Sequence, residues 1–409
     1  MKTRYYGNSV PTYLKIRSDL HEYPLEDELL IFDGLTKRLF RNNPTATIIW
    51  NGCHAGLSLE EIVAVLSEAT GEPADRIAGD IKVITTHWQD MGLLHDNRGL
   101  SGRGNPFAET GPLSDNIDYD GPMPQLASDG LEHQFRILDT CFNLSVPSEN
   151  EFRLVLPLLV HLSVSHDNQV DERLYVASAE DRYVLLHQDK VIDWCEDADG
   201  IAPMLHGRSL MIAYGLSHCL FGLHAAAVIC RGKSVLMPAL AGSGKSTLTA
   251  ALVGSGAALC ADDMVLLTAA PVRLRPVPVV IGLKSGSWDL LAPYHPEIAS
   301  LPTHLRADEK HVRYLAPPAG AMVPMGSPPL PVDVIVIPKF VDAPNAVGLT
   351  SISPADGLYR LTEAGFDIRG EMTATCIEQL VDWIARIPCY ELHFNQLDSA
   401  VSAIQTLVS

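Results

Sequence analysis

Basic residues are scarce. Thirty Lys and Arg stand against forty-nine Asp and Glu, a formal charge of −19, whereas a protein that displaces counterions from nucleic-acid phosphates needs the opposite excess. No nucleic-acid partner is expected. No C-x-x-C pair occurs either. The eight cysteines (Cys53, Cys141, Cys195, Cys219, Cys230, Cys260, Cys376, Cys389) are scattered, which spells neither a zinc module nor a disulfide framework and reads as reduced thiols in a cytoplasmic protein. Unbroken apolar runs are missing as well. The best candidate for a membrane span, SLMIAYGLSHCLFGLHAAAVIC (209–230), is interrupted by Gly215, His218, Gly222 and His224, so it reads as a buried helix running into a buried strand, and no membrane partner is expected. The stretch MKTRYYGNSVPTYLKIRSDL has no apolar h-region and no small-residue cleavage site, so it is not a secretory signal. Charge is sparse overall, 19% against 47% apolar residues. That excludes a wholly disordered or fibrous chain, and 409 residues suit two to three domains.

What is present divides in two. Residues 97–130 are rich in Gly, Pro, Ser and Asp without an apolar period, and read as a flexible linker between a unit over 1–96 and a larger one over 131–409. In the first unit, ELLIFDG (28–34) and KRLFRNN (37–43) read as short strands and PTATIIWNGCHAG as a helix packed on them. Ser58 with Glu61 is a capping-box pattern ahead of an apolar stripe at Ile62, Val65 and Leu66. A third helix runs from about Ala74 to Met91 on Ile77, Ile81, Ile84 and a core Trp88, with Gly92 placed to end it. The sum is a small winged-helix-like domain.

The runs NPTATIIWNGC, LSLEEIVAVL and DIKVITTHWQDMGLL, within about residues 26–96, resemble the PqqD family, the leader-peptide recognition elements of peptide-modifying pathways. The resemblance implies that an extended peptide adds to an edge strand near Leu39 to Arg41 and lies against the helix face around Lys82 to Gln89. The alternative is a winged helix used only for dimerisation or internal packing.

From 131 onward β-rich segments lead to HAAAVICRGKSVLMPALAGSGKSTLTAALVGSGAALCADDMVLL (224–267). Ser234 to Pro238 reads as a buried strand, Ala239 to Lys245 as a Gly-rich loop and Ser246 to Val253 as a helix with Leu248 and Leu252 inward. Strand, glycine loop and helix N-terminus make an anion site, because backbone N–H groups converge there and the helix dipole favours negative charge. The run Gly242-Ser243-Gly244-Lys245-Ser246-Thr247 is therefore the candidate nucleotide-binding segment, with Lys245 on the β- and γ-phosphates of ATP and Ser246 on Mg²⁺. The pattern G-x-x-x-x-G-K-[ST] departs at its first position, Ala239. Neither L-S-G-G-Q nor N-K-x-D is present, which argues against transport ATPases and GTPases. The next strand ends in Asp262-Asp263, where ligands bind in an α/β sheet.

His224, the loop Gly242 to Ser246 and the Asp262-Asp263 pair resemble the HPr kinase/phosphorylase family and its bacterial HprK-like relatives. The resemblance implies an α/β (α+β) P-loop kinase of the HPr kinase/PEP carboxykinase-like type. It implies Asp262 as the base for an acceptor hydroxyl, His224 orienting that carboxylate, and Asp263 with Ser246 on the metal side, although the two aspartate roles could be exchanged. Runs similar to VVIGLKSGSWDLL (279–291) and VRYL in the related kinases nominate Lys284 and Arg313 as acceptor or phosphate clamps, an ordinary surface or salt-bridge role being the alternative for each. The E-x-R-G signature of the family is missing near this segment, so HPr as substrate and phosphorolysis are not carried over. Hexamers occur among such relatives, which leaves a homo-oligomer open. VDVIVIPKF (332–340), TATCIEQLVDWIARI (373–387) and the final strand and helix read as the rest of one continuous domain.

Together these point to an ATP- and Mg²⁺-dependent kinase of a Ser, or Thr, hydroxyl on a ribosomally made precursor peptide, lasso peptides among the class, with the leader held by the first domain. The alternatives are a kinase of a small-molecule or protein acceptor, and a non-catalytic, nucleotide-responsive peptide-binding module.

Overall fold

The computed structural model describes residues 13–36, 38–94, 119–124, 126, 130–165, 168–219, 221–239, 242–341, 347–363, 366–368 and 373–409. Most of the expected 97–130 linker lies outside the described residues. The chain groups into two units, one comprising Met1–Glu109 with Met372–Ala385, the other Thr110–Glu371 with Arg386–Ser409.

In the first unit, antiparallel strands β1 (Leu20–Leu25), β2 (Glu28–Asp33) and β3 (Arg38–Asn42) precede helices α1 (Pro44–His54), α2 (Leu59–Thr70) and α3 (Ala74–Asp90). The three helices fall where the sequence places them, for local reasons. Asn43 caps α1 with Pro44 at its first position, the Ser58–Glu61 capping box starts α2, and Gly92 takes a left-handed turn after α3. Trp50 and Trp88 meet edge-on at 4.9 Å in the core, and the Trp88 indole N–H donates to Asn42 Oδ1 at 3.1 Å. Strand β1 was not expected. It is a half-exposed edge strand with weak alternation, and only at an edge does Pro24 cost no ladder bond.

The helix Ala374–Ile384, 280 residues or so downstream in sequence, belongs with this unit although it falls within the expected 131–409 domain. Its stripe of Ile377, Leu380, Val381 and Ile384 is buried, the helix packs on β1, and the Tyr23 hydroxyl donates to the Ala374 carbonyl at 2.8 Å.

The second unit opens with a five-stranded sheet in the order β4 (Leu131–Ile137), β5 (Thr140–Val146), β6 (Glu172–Ala179), β7 (Arg182–His187), β8 (Lys190–Cys195), with α4 (Glu149–Leu159) between β5 and β6. Helix α5 (Ile201–Leu216) runs to short β9 (Phe221–Leu223) and β10 (Ala225–Cys230), the helix-into-strand reading of 209–230. Among the described residues no helix is long and apolar enough to cross a membrane. After β10 come β11 (Lys233–Pro238), α6 (Lys245–Gly254), β12 (Ala258–Ala261), β13 (Val265–Leu267), β14 (Leu274–Arg275), β15 (Ile281–Lys284), β16 (His304–Leu305), β17 (His311–Leu315), β18 (Val334–Phe340), β19 (Gly348–Ile352), β20 (Phe366–Ile368) and β21 (Cys389–Phe394). The central sheet has the order β12-β10-β11-β18-β21-β19. Strands β11, β18 and β21 are parallel and the others antiparallel to their neighbours. Helix α6 lays Leu248 and Leu252 against Val228, Val235, Val334 and Val336 of that sheet, so burial of one apolar face fixes where the turn before α6 stands.

Candidate functional site: a glycine-rich loop flanked by two aspartates

Strand β11 is wholly buried from Ser234 on and delivers the chain to the glycine-rich loop. Gly242 and Gly244 take φ of +89° and +85°, a region that a Cβ disfavours. Gly244 is the cap residue of α6 and has no side-chain cap, so the first N–H groups of the helix face the loop without a protein acceptor from that position. Ala239, the departure from the glycine pattern, is a buried small residue.

Lys245 opens α6 and is only 6% exposed. Its Nζ has no hydrogen-bond partner among the described residues, nor does the buried Asp262 Oδ1. Burial holds the Lys245 ammonium below its ordinary pKa, opposed by the charges of Asp262 and Asp263. Burial likewise raises Asp262 to about 6, although Lys245 and a hydrogen bond from Ser246 pull it down. A buried ammonium and a buried carboxylate oxygen that lack hydrogen bonds are costly, and a bound anion with its cation would satisfy both.

The two aspartates differ sharply. Asp262 is 1% exposed. Asp263 adopts φ of +68°, rare for a non-glycine residue, and this turn carries its side chain into the open, 58% exposed. His224, between β9 and β10, places Nδ1 at 3.2 Å from Asp263 Oδ1 and 3.1 Å from the Asp263 carbonyl oxygen. Both neighbours only accept, so Nδ1 carries the hydrogen. Burial first, then Lys245, holds the imidazole below its ordinary pKa. Lys245 Nζ stands 4.0 Å from Asp263 Oδ1.

The sequence expectation set His224 against Asp262 and put Asp263 with Ser246. The structure sets His224 against Asp263 instead, with Nδ1 3.1 Å from its carbonyl oxygen, while the Ser246 hydroxyl acts on Asp262, the exchange of roles that the sequence left open. The left-handed turn at Asp263 is the cause, since it returns the chain toward β9, which pairs with β13 just beyond His224.

Lys284 ends β15, and its positive charge bears on both His224 and Lys245, so it belongs to this cluster. Arg313 does not. Its guanidinium lies 4.0 Å over the Trp288 ring and donates to the Ile298 carbonyl at 2.9 Å and Thr303 Oγ1 at 3.1 Å. Those contacts fit the ordinary structural role that stands as the alternative to a clamp. Its neighbour Tyr314, together with His206 of α5, is what the site feels. The two rings stand 5.2 Å apart and the Asp263 charge reaches both, while burial drops His206 to about 4.

Among the described residues no three His, Cys, Asp or Glu gather as a metal site. Mg²⁺ carried on phosphates needs no such cage, since one or two carboxylates complete it. Ser246 with Asp262 fits that requirement.

Residues 28–94 match the family described as coenzyme PQQ synthesis protein D (PqqD). This segment is a PqqD-type domain. Within the PqqD-type domain the sheet order leaves β3, which contains Leu39 to Arg41, at an edge. Among solved structures, the chain is similar to TbiB1 in complex with the TbiA(beta) leader peptide, at 19% identity over 21% of this chain and 99% of that one with a TM-score of 0.20. It is also similar to the Hpr(Ser) kinase/phosphatase from Coxiella burnetii, at 16% identity over 46% of this chain and 93% of that one with a TM-score of 0.22. No curated protein matches the chain.

Proposed function

We propose that the chain is an ATP- and Mg²⁺-dependent kinase that phosphorylates a Ser or Thr hydroxyl of a ribosomally made precursor peptide. The observation that carries this reading is the buried Lys245 Nζ at the start of α6, without a hydrogen-bond partner among the described residues and flanked by one buried and one exposed aspartate. Phosphoryl transfer asks for positioning, charge neutralisation and one base, and these residues supply each.

Lys245 and the loop N–H groups hold the β- and γ-phosphates. Ser246 and Asp262 hold Mg²⁺, which when bound neutralises charge on those phosphates. Asp263, exposed and held by His224 Nδ1–H, accepts the proton of the acceptor hydroxyl as its oxygen bonds to the γ-phosphorus and ADP leaves. Lys284 meets the negative charge on the acceptor side.

The PqqD-type domain supports the peptide as acceptor. Its β3 edge offers unpaired backbone groups for an added strand, and the Lys82 to Gln89 face of α3 is largely solvent-facing. The other edge strand, β1, already has the helix Ala374–Ile384 packed on it.

Mass spectrometry of precursor peptides incubated with the protein, ATP and Mg²⁺ tests the reading, and one added phosphate on a core Ser or Thr is expected. With Lys82→Glu/Gln89→Glu, phosphorylation of full-length precursor should fall at least tenfold at low peptide concentration while that of a leaderless core peptide stays unchanged. Equal phosphorylation of full-length precursor by both proteins would remove leader capture. MgATP binding without phosphotransfer to any peptide would leave a nucleotide-responsive binding module.

A further inference from the structure

The parallel strands β11, β18 and β21 do not end level. Leu236 of β11 lies beside Ile335 of β18, and β18 stays paired with β21 as far as Phe340 beside Phe394. Since β11 stops at Pro238, the last residues of β18 and β21 stand alongside the glycine-rich loop. Phe394 Cζ is the nearest atom to the place a Gly244 Cβ would occupy, at 3.6 Å.

Phe340 is anomalous here. Side chains alternate along a strand, and Phe340 shares its face of β18 with Val334 and Val336, which are core residues packed with α6. Phe394, its neighbour on β21, is 4% exposed, but Phe340 is 54% exposed, with its ring edge-on to Phe394 at 5.9 Å and 82°. A large ring on the core face of a buried strand, half in water, lies where ligands bind in open α/β sheets, outside the carboxyl ends of the strands.

We propose that Phe340, propped on Phe394, is the stacking platform for the base of the nucleoside triphosphate whose phosphates occupy the glycine-rich loop. This rests on the nucleotide reading above and extends it to the other end of the molecule. The flanks of β11 divide the work. Toward β10 and β12 stand His224, Asp262 and Asp263, polar groups suited to the acceptor. Toward β18 and β21 stands an aromatic face made by Phe340 and Phe394. On the second flank a base extending from phosphates at the α6 N-terminus finds the half-exposed Phe340 ring, and base-on-aromatic stacking is a substantial part of nucleotide affinity.

Calorimetry on the full-length protein with two probes, MgATP and magnesium tripolyphosphate, separates base from phosphates. Phe340→Ala should weaken MgATP by about 5- to 100-fold and leave tripolyphosphate unchanged, and because the ring is exposed the fold should tolerate its loss. Phe340→Trp should restore MgATP affinity and show indole fluorescence quenched by MgATP but not by tripolyphosphate. Equal weakening of both probes by Phe340→Ala, or of neither, would overturn the base platform while leaving the phosphate site standing. Failure of wild-type protein to bind MgATP at all would remove the phosphate site and this proposal together.

Discussion

His224 donates its Nδ1–H to Asp263, within 3.2 Å of the carboxylate and 3.1 Å of the same residue's carbonyl oxygen, and leaves Asp262 to Ser246 and Lys245. The pairing separates two adjacent acids into a solvent-facing one and a buried one. Asp263→Asn should therefore lower kcat by about 10²- to 10⁴-fold, the usual contribution of a positioned base, with the KM for ATP within about threefold of wild type. His224→Gln should show the same pattern more weakly. Steady-state kinetics at saturating peptide would check both, and a loss confined to ATP affinity would contradict the assignment.

Asp262 predicts a pH dependence of opposite sense to that of an ordinary acid. Its folded pKa is raised to about 6, so the folded state holds its proton more tightly than the unfolded chain. The stability this contributes is full below about pH 4 and is lost as pH rises through 6. At about 1.4 kcal/mol per unit the swing is about 3 kcal/mol. Without nucleotide, denaturant unfolding of wild type and Asp262→Asn between pH 4 and 8 should show wild type losing stability relative to the variant as pH rises. A pH-independent difference would refute the raised pKa of this buried carboxyl.

Lys245 should behave as a ligand-binding residue that the empty fold does not need. Its ammonium is buried without a hydrogen-bond partner among the described residues and only 4.0 Å from the exposed Asp263, so Lys245→Met should leave Tm near that of the wild type, the desolvation cost removed offsetting the weak pairing lost. The same substitution should abolish the rise in Tm that MgATP gives the wild type. Differential scanning fluorimetry with and without MgATP reads both effects.

Arg313 makes the contrary prediction. Stacked over Trp288 and bonded to Ile298 and Thr303, it ties the segment after β15 to β17. Arg313→Lys keeps the charge but loses the planar stack and the fork of donors, and should cost about 1–3 kcal/mol of stability with kinetic constants near wild type. A normal unfolding midpoint with a raised KM would restore the clamp reading.

The sequence was most legible where structure is made by residues close together. The Ser58–Glu61 cap, Pro44 after Asn43, the glycines on either side of Ser243 and the buried run into Pro238 each act within a few residues, and each stands where the sequence put it. Legibility failed where a partner comes from elsewhere in the chain. Nothing near Arg313 announced Trp288 twenty-five positions earlier as its stacking partner, and Tyr314 gained its place only through pairing of β17 with β15. Nothing in TATCIEQLVDWIARI (373–387) told that its helix packs on β1.

By itself, then, the sequence determined the local chemistry: an anion-binding turn between an apolar strand and an apolar helix, two acids after the next strand, and a capped three-helix unit that carries the PqqD pattern. Tertiary structure decided the assignments among equivalents, namely which aspartate meets His224, which basic side chain is spent on a loop, and which phenylalanine is left in the open beside the glycines. The reason is physical. Backbone propensities and caps are energies of neighbours along the chain, whereas burial, pairing and exposure are set by segments hundreds of residues apart that share one core.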